Sequence, residues 1–503
     1  MKKKGVQLLA GIMACALLVG SMPAGTAEAA NVPKLKSKKL TITKGKSKTI
    51  KVKGKRIKSK KFKTSKKSIA TVSKKGKVKA KKVGTCKIKI TVKYRKTKKA
   101  KKLSTKKLTC KVKVVEQEMF RPSSLAISDN FAKQAADTSV KLTRINAEKP
   151  VQDKGNVLIS PESVLTAMAM VINGAGGDTL TELQKALYGD INVADFNKNM
   201  SAYNDYLVLS KDVQFHMANS IWIKDKKEEV TIKKSFLDTN EKYYHSQAYT
   251  EPFNADTVGK INKWVKENTK NMIPSIISNI PEDTRMYLIN ALAFEGRWNT
   301  QYSSYQVQKD TFTDANGTKQ TVNMLNSTEY SYLKDEKATG VMKNYEGGTY
   351  AFVGILPNEG VSVSDYLKVM TGESFVKLLG SEEHQRVLTK IPEFSYDYTT
   401  NMVETMKAMG IEKAFTNGAD FSNMGTTKEG ILKIDDILHK THIELDRYGT
   451  KAAAVTSISM KAGSAAPSED KPKEVYLNRP FIYAIVETSK NLPIFMGVVN
   501  SVK

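Results

Sequence analysis

The chain has 503 residues and a formal net charge of +32, with 82 Lys and Arg against 50 Asp and Glu. That length exceeds one ordinary domain, so two or more domains are expected. The chain has three cysteines and none after residue 110, which excludes a disulfide framework and a catalytic thiol from the larger part of the chain.

Residues 1–30 have the pattern of a secretory signal peptide. Lysines fill positions 2–4, a mostly apolar run covers 6–20, and residues 27–29 read Ala-Glu-Ala, which fits a cleavage site. A lipoprotein signal ending at Cys15 fits less well, because the three residues before it match a lipidation box poorly. No later stretch is apolar for the ~18 residues that a membrane span requires. We therefore expect a secreted, extracellular protein without a transmembrane segment, and association with the cell wall stays open.

Residues 31–115 are intensely cationic, with 36 Lys and Arg and no Asp or Glu. Residues 116–503 carry 43 basic and 49 acidic residues, so the overall charge describes neither part of the chain. Lysines in the cationic segment are interleaved with β-branched residues in four short runs, at 40–43, 49–53, 69–72 and 87–92. This alternation, with Lys-Gly turns between the runs, predicts short strands and a small all-β sandwich.

The run over 68–85, Ser-Ile-Ala-Thr-Val-Ser-Lys-Lys-Gly-Lys-Val-Lys-Ala-Lys-Lys-Val-Gly-Thr, resembles bacterial Ig-like domains of group 2. The Trp-Ser-Ser that usually precedes this run in the family is replaced by Phe62-Lys-Thr-Ser. The resemblance covers about 33–115. It implies a Lys-rich Ig-like domain over 31–117, of the kind found in bacterial surface proteins.

The charge of this domain leaves several interpretations. Charge alone would allow nucleic acid, but the predicted export argues against it, and Phe62 and Tyr94 are the only aromatic residues for base stacking. We therefore expect that nucleic acid is not a partner. Anionic cell-wall polymers, bound through residues 31–115, match the charge of an exported domain better. The remaining alternative is that the lysines only keep the domain soluble and extended.

Cys86 and Cys110 both fall in strand-like runs of this domain. If those runs are antiparallel neighbours, a cross-strand disulfide can form in an oxidising compartment. Two buried free thiols are an equal alternative.

Residues 118–503 are numerous enough to bury a sizeable core. The periodicity over 123–144 predicts an opening amphipathic helix, with Phe131 on its apolar side. The segment 156–175 then reads as a strand, the sequence Ser-Pro-Glu-Ser, and a buried helix rich in Ala and Met. Thr179 and Glu182 have the spacing of a capping box beyond that helix.

Two stretches near the C-terminus predict a long exposed loop. Residues 449–455 are small, residues 481–497 are strongly apolar, and the segment between them is polar. Loops of this length in compact domains are usually functional. Every second residue from Thr450 to Met460 is small, neutral or apolar, so the loop has the pattern of a half-buried strand. A linker that alternates by chance is the alternative.

These features resemble the serpins, and further motifs occur in the family's order along the whole of 118–503. They are Ala-Asn-Ser-Ile-Trp at 218–222, Ile-Asn-x-Trp-Val at 261–265, Ile-Asn-Ala-Leu-Ala-Phe-Glu-Gly-Arg-Trp at 289–298, and His439-Lys440 ahead of the small residues. The resemblance implies an α+β serpin fold with three β-sheets, eight or nine helices and an exposed reactive loop.

The resemblance also implies a suicide inhibitor of serine proteases, with cysteine proteases as an open alternative, in which the cleaved reactive loop inserts into the main β-sheet. The hinge of that loop would comprise Gly449, Thr450, Ala452, Ala453 and Ala454. A polar cluster that holds the central strands together before insertion would comprise Ser160, Ser163, Asn290 and His439. The family usually has Glu where Arg447 and Lys451 stand, and both side chains should face outward on insertion.

The reactive bond is the least determined of these sites. The family's spacing, counted from Thr450, places it between Gly463 and Ser464, but the loop is longer than in common members, so the position can slip within 461–465. Small residues around this bond favour elastase-like or subtilisin-like serine proteases as targets. Cleavage at Lys461 would instead favour a trypsin-like enzyme.

Motifs for catalysis are scarce. The five histidines make no H-E-x-x-H or other ligand spacing, and neither a G-x-S-x-G elbow nor a P-loop occurs. We therefore expect a monomer that is not an enzyme, with no catalytic residues, metal or cofactor. The alternative function is a non-inhibitory surface or binding protein of serpin fold. The small hinge residues favour the inhibitor, because a large or charged residue would be buried there without a partner.

Overall fold

The computed structural model describes residues 32–43, 46–82, 84–97, 100–115, 125–149, 155–210, 212–225, 230–244, 248–282, 284–428, 430–450 and 471–503. The predicted signal peptide and residues 451–470 of the predicted loop lie outside them. The chain divides into two compact units, Met1–Phe120 and Arg121–Lys503, called here the small unit and the large unit.

In its described residues the small unit consists of strands of two to twelve residues and contains no helix, as its alternating sequence predicts. Its strands are β1 (Lys34–Leu35), β2 (Lys39–Thr43), β3 (Ser47–Thr49), β4 (Val52–Lys53), β5 (Ile57–Thr64), β6 (Ala70–Val72), β7 (Lys77–Ala80), β8 (Gly84–Tyr94) and β9 (Ser104–Val115). They form a four-stranded sheet β2-β9-β8-β5, a three-stranded sheet β3-β7-β6 and the pair β1-β4. Apolar residues of the two larger sheets form one buried cluster, which includes Ile88 and Val112 of the first sheet and Val78 and Ala80 of the second. The predicted all-β sandwich is confirmed.

The two cysteines of the small unit lie on neighbouring antiparallel strands, β8 and β9. Cys86 stands opposite Val112, and Cys110 stands opposite Ile88, so the two thiols are diagonal rather than directly paired. Both are buried and free. Burial, and the nearby Cys86, raise the pKa of the Cys110 thiol, which keeps it protonated and unreactive.

The large unit combines nine α-helices with three β-sheets in its described residues. The helices are α1 (Asp129–Ala147), α2 (Pro161–Ile172), α3 (Gly177–Leu187), α4 (Val193–Val208), α5 (Lys234–Tyr244), α6 (Ala255–Asn268), α7 (Val363–Val369), α8 (Gly372–Gly380) and α9 (Val403–Ala408). Short 3₁₀ turns cover Ser304–Gln306 and Lys413–Phe415. Within the described residues, no helix is both long and apolar enough to cross a membrane.

The strands of the large unit follow in chain order. They are β10 (Val157–Ile159), β11 (Val213–Lys224), β12 (Val230–Ile232), β13 (Ala248–Glu251), β14 (Met286–Arg297), β15 (Val307–Thr313), β16 (Lys319–Lys334), β17 (Ala338–Asn344), β18 (Tyr350–Pro357), β19 (Glu383–Pro392), β20 (Phe394–Asn401), β21 (Gly425–Thr427), β22 (Asp436–Asp446), β23 (Gly449–Thr450), β24 (Lys473–Tyr476), β25 (Phe481–Glu487) and β26 (Leu492–Val499).

Three sheets result from these strands. A nine-stranded sheet runs β10-β26-β25-β18-β17-β16-β19-β24 with β15 beside β16, a six-stranded sheet runs β13-β11-β14-β23-β22-β20, and β12 pairs with β21. The helix α2 is buried along its whole length and contacts both β14 and β26. Its position explains its Ala- and Met-rich sequence, because a helix that is covered on every side has no polar face.

Two local predictions were wrong. The first helix begins at Asp129 rather than near 123, because the Ser128 side chain accepts the N–H of Phe131 and caps the helix there. Thr179 and Glu182 do not form a capping box, because α3 already begins at Gly177. Glu182 instead accepts the backbone N–H groups of Glu412 and Lys413, 2.8 Å from each nitrogen.

Candidate functional site

The central feature of the six-stranded sheet is a two-residue strand between two longer ones. In β23, Gly449 and Thr450 pair antiparallel with β14 on one side and with β22 on the other. Beyond this strand β14 and β22 pair directly and in parallel, Tyr287 to Leu292 with Asp436 to Thr441. We call this direct pairing the seam. A strand that continued beyond Thr450 would reach the end of the seam at Leu292 and Thr441 after four residues, and from there it would have to separate the seam.

Gly449 makes the start of this strand possible. A Cβ atom at this position would overlap the carbonyl oxygen of Gly296 and lie 2.8 Å from the Cα of Arg297. Real Cβ atoms do not approach backbone that closely, so a side chain here would push β23 away from β14. The sequence supplies the one residue that fits.

Thr450 is 2% exposed, and its hydroxyl lies 2.6 Å from the hydroxyl of Tyr345. Burial raises the pKa of Tyr345 far above its ordinary value, so the phenol stays neutral and can share this hydrogen bond. The Tyr345 ring stacks on Trp298 at 4.7 Å. The indole N–H of Trp298 in turn donates to the carbonyl of Asp446, at 2.9 Å. The first residues of the predicted hinge are therefore held next to a stacked aromatic pair.

The turn between β22 and β23 contains Arg447, which stands where the family usually has Glu. The backbone N–H of Arg447 donates to Glu393 Oε1 at 3.2 Å, and the guanidinium lies 4.6 Å from the centre of the Tyr448 ring. Asp446 accepts the N–H groups of Tyr448 and Gly449. Arg447 is partly exposed, so a basic residue is accommodated here without burying its charge.

A buried ion pair lies beside the aromatic pair. The Lys343 ammonium is 2.6 Å from Glu329 Oε1, and it lies 4.5 Å from the centre of the Tyr302 ring. The backbone N–H of Tyr302 donates to the carbonyl of Arg447 at 3.0 Å. The lysine therefore contacts the side chain of a residue whose backbone N–H bonds to the turn.

The four residues predicted as a polar cluster come together across the seam. Asn290 of β14 and His439 of β22 are direct register partners, and His439 Nδ1 donates to Asn290 Oδ1. The Asn290 amide donates to Ser163 Oγ at 2.7 Å. The backbone N–H of Ser160 donates to His439 Nε2 at 3.1 Å, which leaves Nδ1 as the protonated nitrogen. The cluster thus joins both strands of the seam to the N-terminus of α2.

Asn219 belongs to this cluster and was not predicted. Its side-chain oxygen accepts from the Asn290 amide at 2.9 Å and from the Ser163 hydroxyl at 3.3 Å. The residue lies within the Ala-Asn-Ser-Ile-Trp motif, which was the available signal. On β22, Thr441 adds a further link, because its hydroxyl donates to the Leu158 carbonyl at 2.8 Å.

His439 is fully buried and uncharged. Burial lowers its pKa to about 3, because the surrounding sheet and helix cannot solvate an imidazolium. Both ring nitrogens already have partners that suit the neutral form. The cluster therefore does not titrate through this histidine near neutral pH.

Glu162 is an unexpected neighbour of the cluster, at the first turn of α2. Its carboxyl is fully buried and accepts one hydrogen bond, from Thr166 at 2.8 Å, while its second oxygen has no protein partner in the described structure. Burial raises its pKa to about 7. The residue is therefore protonated in mildly acidic solution and ionises near neutrality.

Several predicted site residues lie outside the described residues, namely Ala452, Ala453 and Ala454 of the hinge and Gly463 and Ser464 of the reactive bond. Tyr345, Trp298 and Lys343 were not predicted as neighbours of the hinge, since their roles depend on tertiary contacts. Across the described ranges no group of three or more His, Cys, Asp or Glu side chains is arranged to hold a metal ion.

Comparison with known proteins agrees with this architecture. The family model for serpins (serine protease inhibitors) matches residues 133–502, and the model for bacterial Ig-like domains of group 2 matches 31–103. The native state of the thermophilic serpin tengpin is 40% identical with a TM-score of 0.70, over 76% of this chain and 96% of that chain. Its latent state is 39% identical with a TM-score of 0.65, over 75% and 99%.

A curated relative carries a functional name. Intracellular coagulation inhibitor 2 of Tachypleus tridentatus is 27% identical over 393 residues, which cover 74% of this chain and 93% of the relative. The two-residue strand β23, the cluster across the seam and the match over 133–502 lead to one conclusion: this chain belongs to the serpin family and carries a bacterial Ig-like domain ahead of its serpin domain.

Proposed function

We propose that this serpin is a suicide inhibitor of serine proteases that traps its target by inserting the cleaved reactive loop along the seam. The observation that carries the proposal is β23, in which Gly449 and Thr450 already occupy the place between β14 and β22. Insertion would extend this existing strand with the small residues Ala452, Ala453 and Ala454. A charged or bulky residue in that run would be buried at a cost.

The pairing geometry supports a favourable insertion. The seam is parallel, whereas β23 is antiparallel to both of its neighbours. Each seam pairing would be replaced by two antiparallel pairings, which are slightly more stable per residue than parallel ones. About a dozen inserted residues, at ~0.5–1.5 kcal/mol per ladder hydrogen bond, with burial of Ile458 and Met460 at ~1.5–3 kcal/mol each, sum to roughly 9–24 kcal/mol. The entropy lost on ordering the loop reduces the net release to on the order of 10 kcal/mol.

The chemistry of trapping belongs to the protease. A serine protease forms an acyl linkage to the residue before the cleaved bond and hydrolyses it in a second step. Insertion carries the tethered protease away and distorts it before that second step. We propose Gly463–Ser464 as the cleaved bond and an elastase-like or subtilisin-like enzyme as the target, since the neighbouring residues are small.

We further propose that the protein is exported as a monomer and held at the cell wall. The signal-peptide pattern of residues 1–30 supports export. The Ig-like domain, with 36 basic residues and no acidic residue over 31–115, supports attachment to anionic wall polymers. The cysteine-free serpin domain is compatible with either side of the membrane, so export rests on the N-terminal pattern.

Incubation with a panel of elastase-, subtilisin- and trypsin-like proteases tests the inhibitory function. We expect a complex that survives denaturing electrophoresis, with an intact mass equal to protease plus the inhibitor cut after Gly463. Cleavage of the loop without any stable complex, for every protease of the panel, would favour a non-inhibitory binding protein. A complex with a different cut site would keep the mechanism and correct the bond.

A further inference from the structure

We infer that one surface of the Ig-like domain, the outward face of the sheet β2-β9-β8-β5, is the docking surface for a linear phosphodiester polymer of the cell envelope. The inference rests on the proposed wall attachment and goes beyond it by naming the face and the chemistry of the polymer. We call this surface the lysine face. Its described outward side chains are Lys39, Ser59, Lys61, Lys63, Thr85, Lys87, Lys89, Thr91, Lys93, Thr105, Lys107, Thr109, Lys111 and Lys113.

The strand register arranges the lysines in rows across the sheet. Lys39, Lys111 and Lys87 are direct partners on three successive strands. Lys63 and Lys89 form a second direct pair. Neighbouring strands lie about 4.8 Å apart, and alternate residues on one strand about 6.7 Å apart. The result is a two-dimensional array of ammonium groups with Thr and Ser hydroxyls between them.

This array costs the domain stability when nothing is bound. Like charges directly opposite each other on neighbouring strands are destabilising. Within residues 31–115 no carboxylate can relieve them, since this segment contains no Asp or Glu. Solubility alone would not require lysines in register. The outward face of the other sheet has fewer, with Lys77 and Lys79 on β7 and Ser47 and Thr49 opposite them on β3.

The side chains between the lysines indicate which anion fits. Every outward position named above is Lys, Thr or Ser, so each offers a hydrogen-bond donor, and no Arg is present to grip a planar carboxylate bidentately. Ammonium groups act as point charges toward phosphate oxygens, and they tolerate sliding of a repetitive chain. A linear polymer with one phosphodiester per repeat would meet a new lysine at each row.

The inward position of the aromatic rings argues against single-stranded nucleic acid as the ligand of the lysine face. The two aromatic residues of the domain, Phe62 and Tyr94, point away from the lysine face and pack inside. Single-strand binders obtain about 1–3 kcal/mol per base from stacking on exposed aromatic rings. The lysine face can offer charge and hydroxyl groups but no such ring. A polymer without bases therefore matches it better.

The test compares two quadruple variants of the full-length chain that lose the same charge. The face variant is Lys63→Gln, Lys87→Gln, Lys89→Gln and Lys111→Gln. The control variant is Lys74→Gln, Lys75→Gln, Lys77→Gln and Lys79→Gln, on the second sheet and its turn. Binding to poly(glycerol phosphate), poly(glutamate) and duplex DNA is measured between 0.05 and 0.3 M salt (roughly the range in which counterion release is resolved).

We expect the face variant to bind poly(glycerol phosphate) on the order of 100-fold more weakly at about 0.15 M salt, with a salt slope smaller by about three, since each lost phosphate contact removes roughly 0.7–0.9. The control variant should stay within a few-fold of the wild type. The unfolding midpoint of the face variant should not fall, because removing opposed lysines relieves repulsion. Both variants should trap protease like the wild type.

The other outcomes overturn the inference in distinct ways. Equal weakening of both variants would assign binding to total charge and leave wall attachment standing. No binding of the wild type would remove wall attachment as well, while protease trapping would still report on the inhibitory function. Binding of poly(glutamate) or duplex DNA as tight as that of poly(glycerol phosphate), at equal anion concentration, would overturn the assignment to a base-free phosphodiester polymer.

Discussion

Replacing Thr450 by Arg should convert the proposed inhibitor into a substrate. Thr450 is 2% exposed between β14 and β22, with its hydroxyl 2.6 Å from that of Tyr345. An arginine at this position must either bury its guanidinium beside an aromatic ring or withdraw β23 from the sheet. Both responses oppose insertion of the residues that follow.

The expected size of the effect follows from the cost of burying a charge. Each buried ion costs several kcal/mol even after the protein relaxes. If about 3 kcal/mol of that cost is felt at the barrier to insertion, insertion slows by roughly 100-fold, because every 1.36 kcal/mol is a factor of ten in rate. Hydrolysis of the acyl linkage then wins the competition. The cleaved serpin is released, and the protease stays active.

Titration of a cleaving protease with the variant measures this competition, as the number of serpin molecules consumed per protease molecule inactivated. The matched control is Thr450→Val, which keeps the shape and removes only the hydroxyl contact with Tyr345. That loss is worth about 1 kcal/mol, so less than a tenfold change is expected. Unchanged stoichiometry for Thr450→Arg, with the same stable complex, would refute insertion at this position.

Three further predictions concern the serpin domain. Burial raises the folded-state pKa of Glu162 to about 7, so the folded protein binds this proton more tightly than the unfolded chain does. The free energy of unfolding of the wild type therefore falls as the pH rises. The variant Glu162→Gln lacks this proton, so its stability relative to the wild type should increase by about 3 kcal/mol from pH 4.5 to pH 8. Denaturant unfolding at both pH values checks this, and a constant difference would contradict it. Cleavage between residues 459 and 466 should raise the unfolding midpoint by roughly 12 °C, given a release of about 10 kcal/mol and an unfolding entropy of about 2.1 cal/mol/K for each of ~380 residues, and scanning calorimetry would show no shift if the loop stays out. Removal of residues 31–117 should leave trapping unchanged, and a loss of inhibition would show that the two units are mechanically coupled.

The sequence was informative where function depends on local motifs. Ser160 with Ser163, Asn290 and His439 come from three distant segments of the chain. Each segment carries a motif with a specific order, and the structure places the four residues within hydrogen-bonding contact across the seam. The alternation of Lys with β-branched residues likewise predicted the sandwich. Both predictions used patterns that the chain displays over a few residues.

The sequence was uninformative where long-range contacts decide. Glu182 has the spacing of a capping residue, but the backbone of Glu412 and Lys413 competes for its carboxylate. Lysine is a residue type usually found at the surface, but Lys343 is 3% exposed and paired with Glu329. No periodicity in the chain reveals such partners, because they meet only when the sheets pack.

The central claim is that the loop inserts between β14 and β22. A reversible disulfide bond across the seam tests this claim most directly. Ile289 and Leu438 are register partners and lie on the same apolar face, so cysteines at both positions would stand at a distance that a disulfide can span. The oxidised double variant should be cleaved by the protease without forming a stable complex, and reduction should restore trapping. If the oxidised variant formed a denaturant-resistant complex as well as the reduced variant does, insertion along the seam would be contradicted.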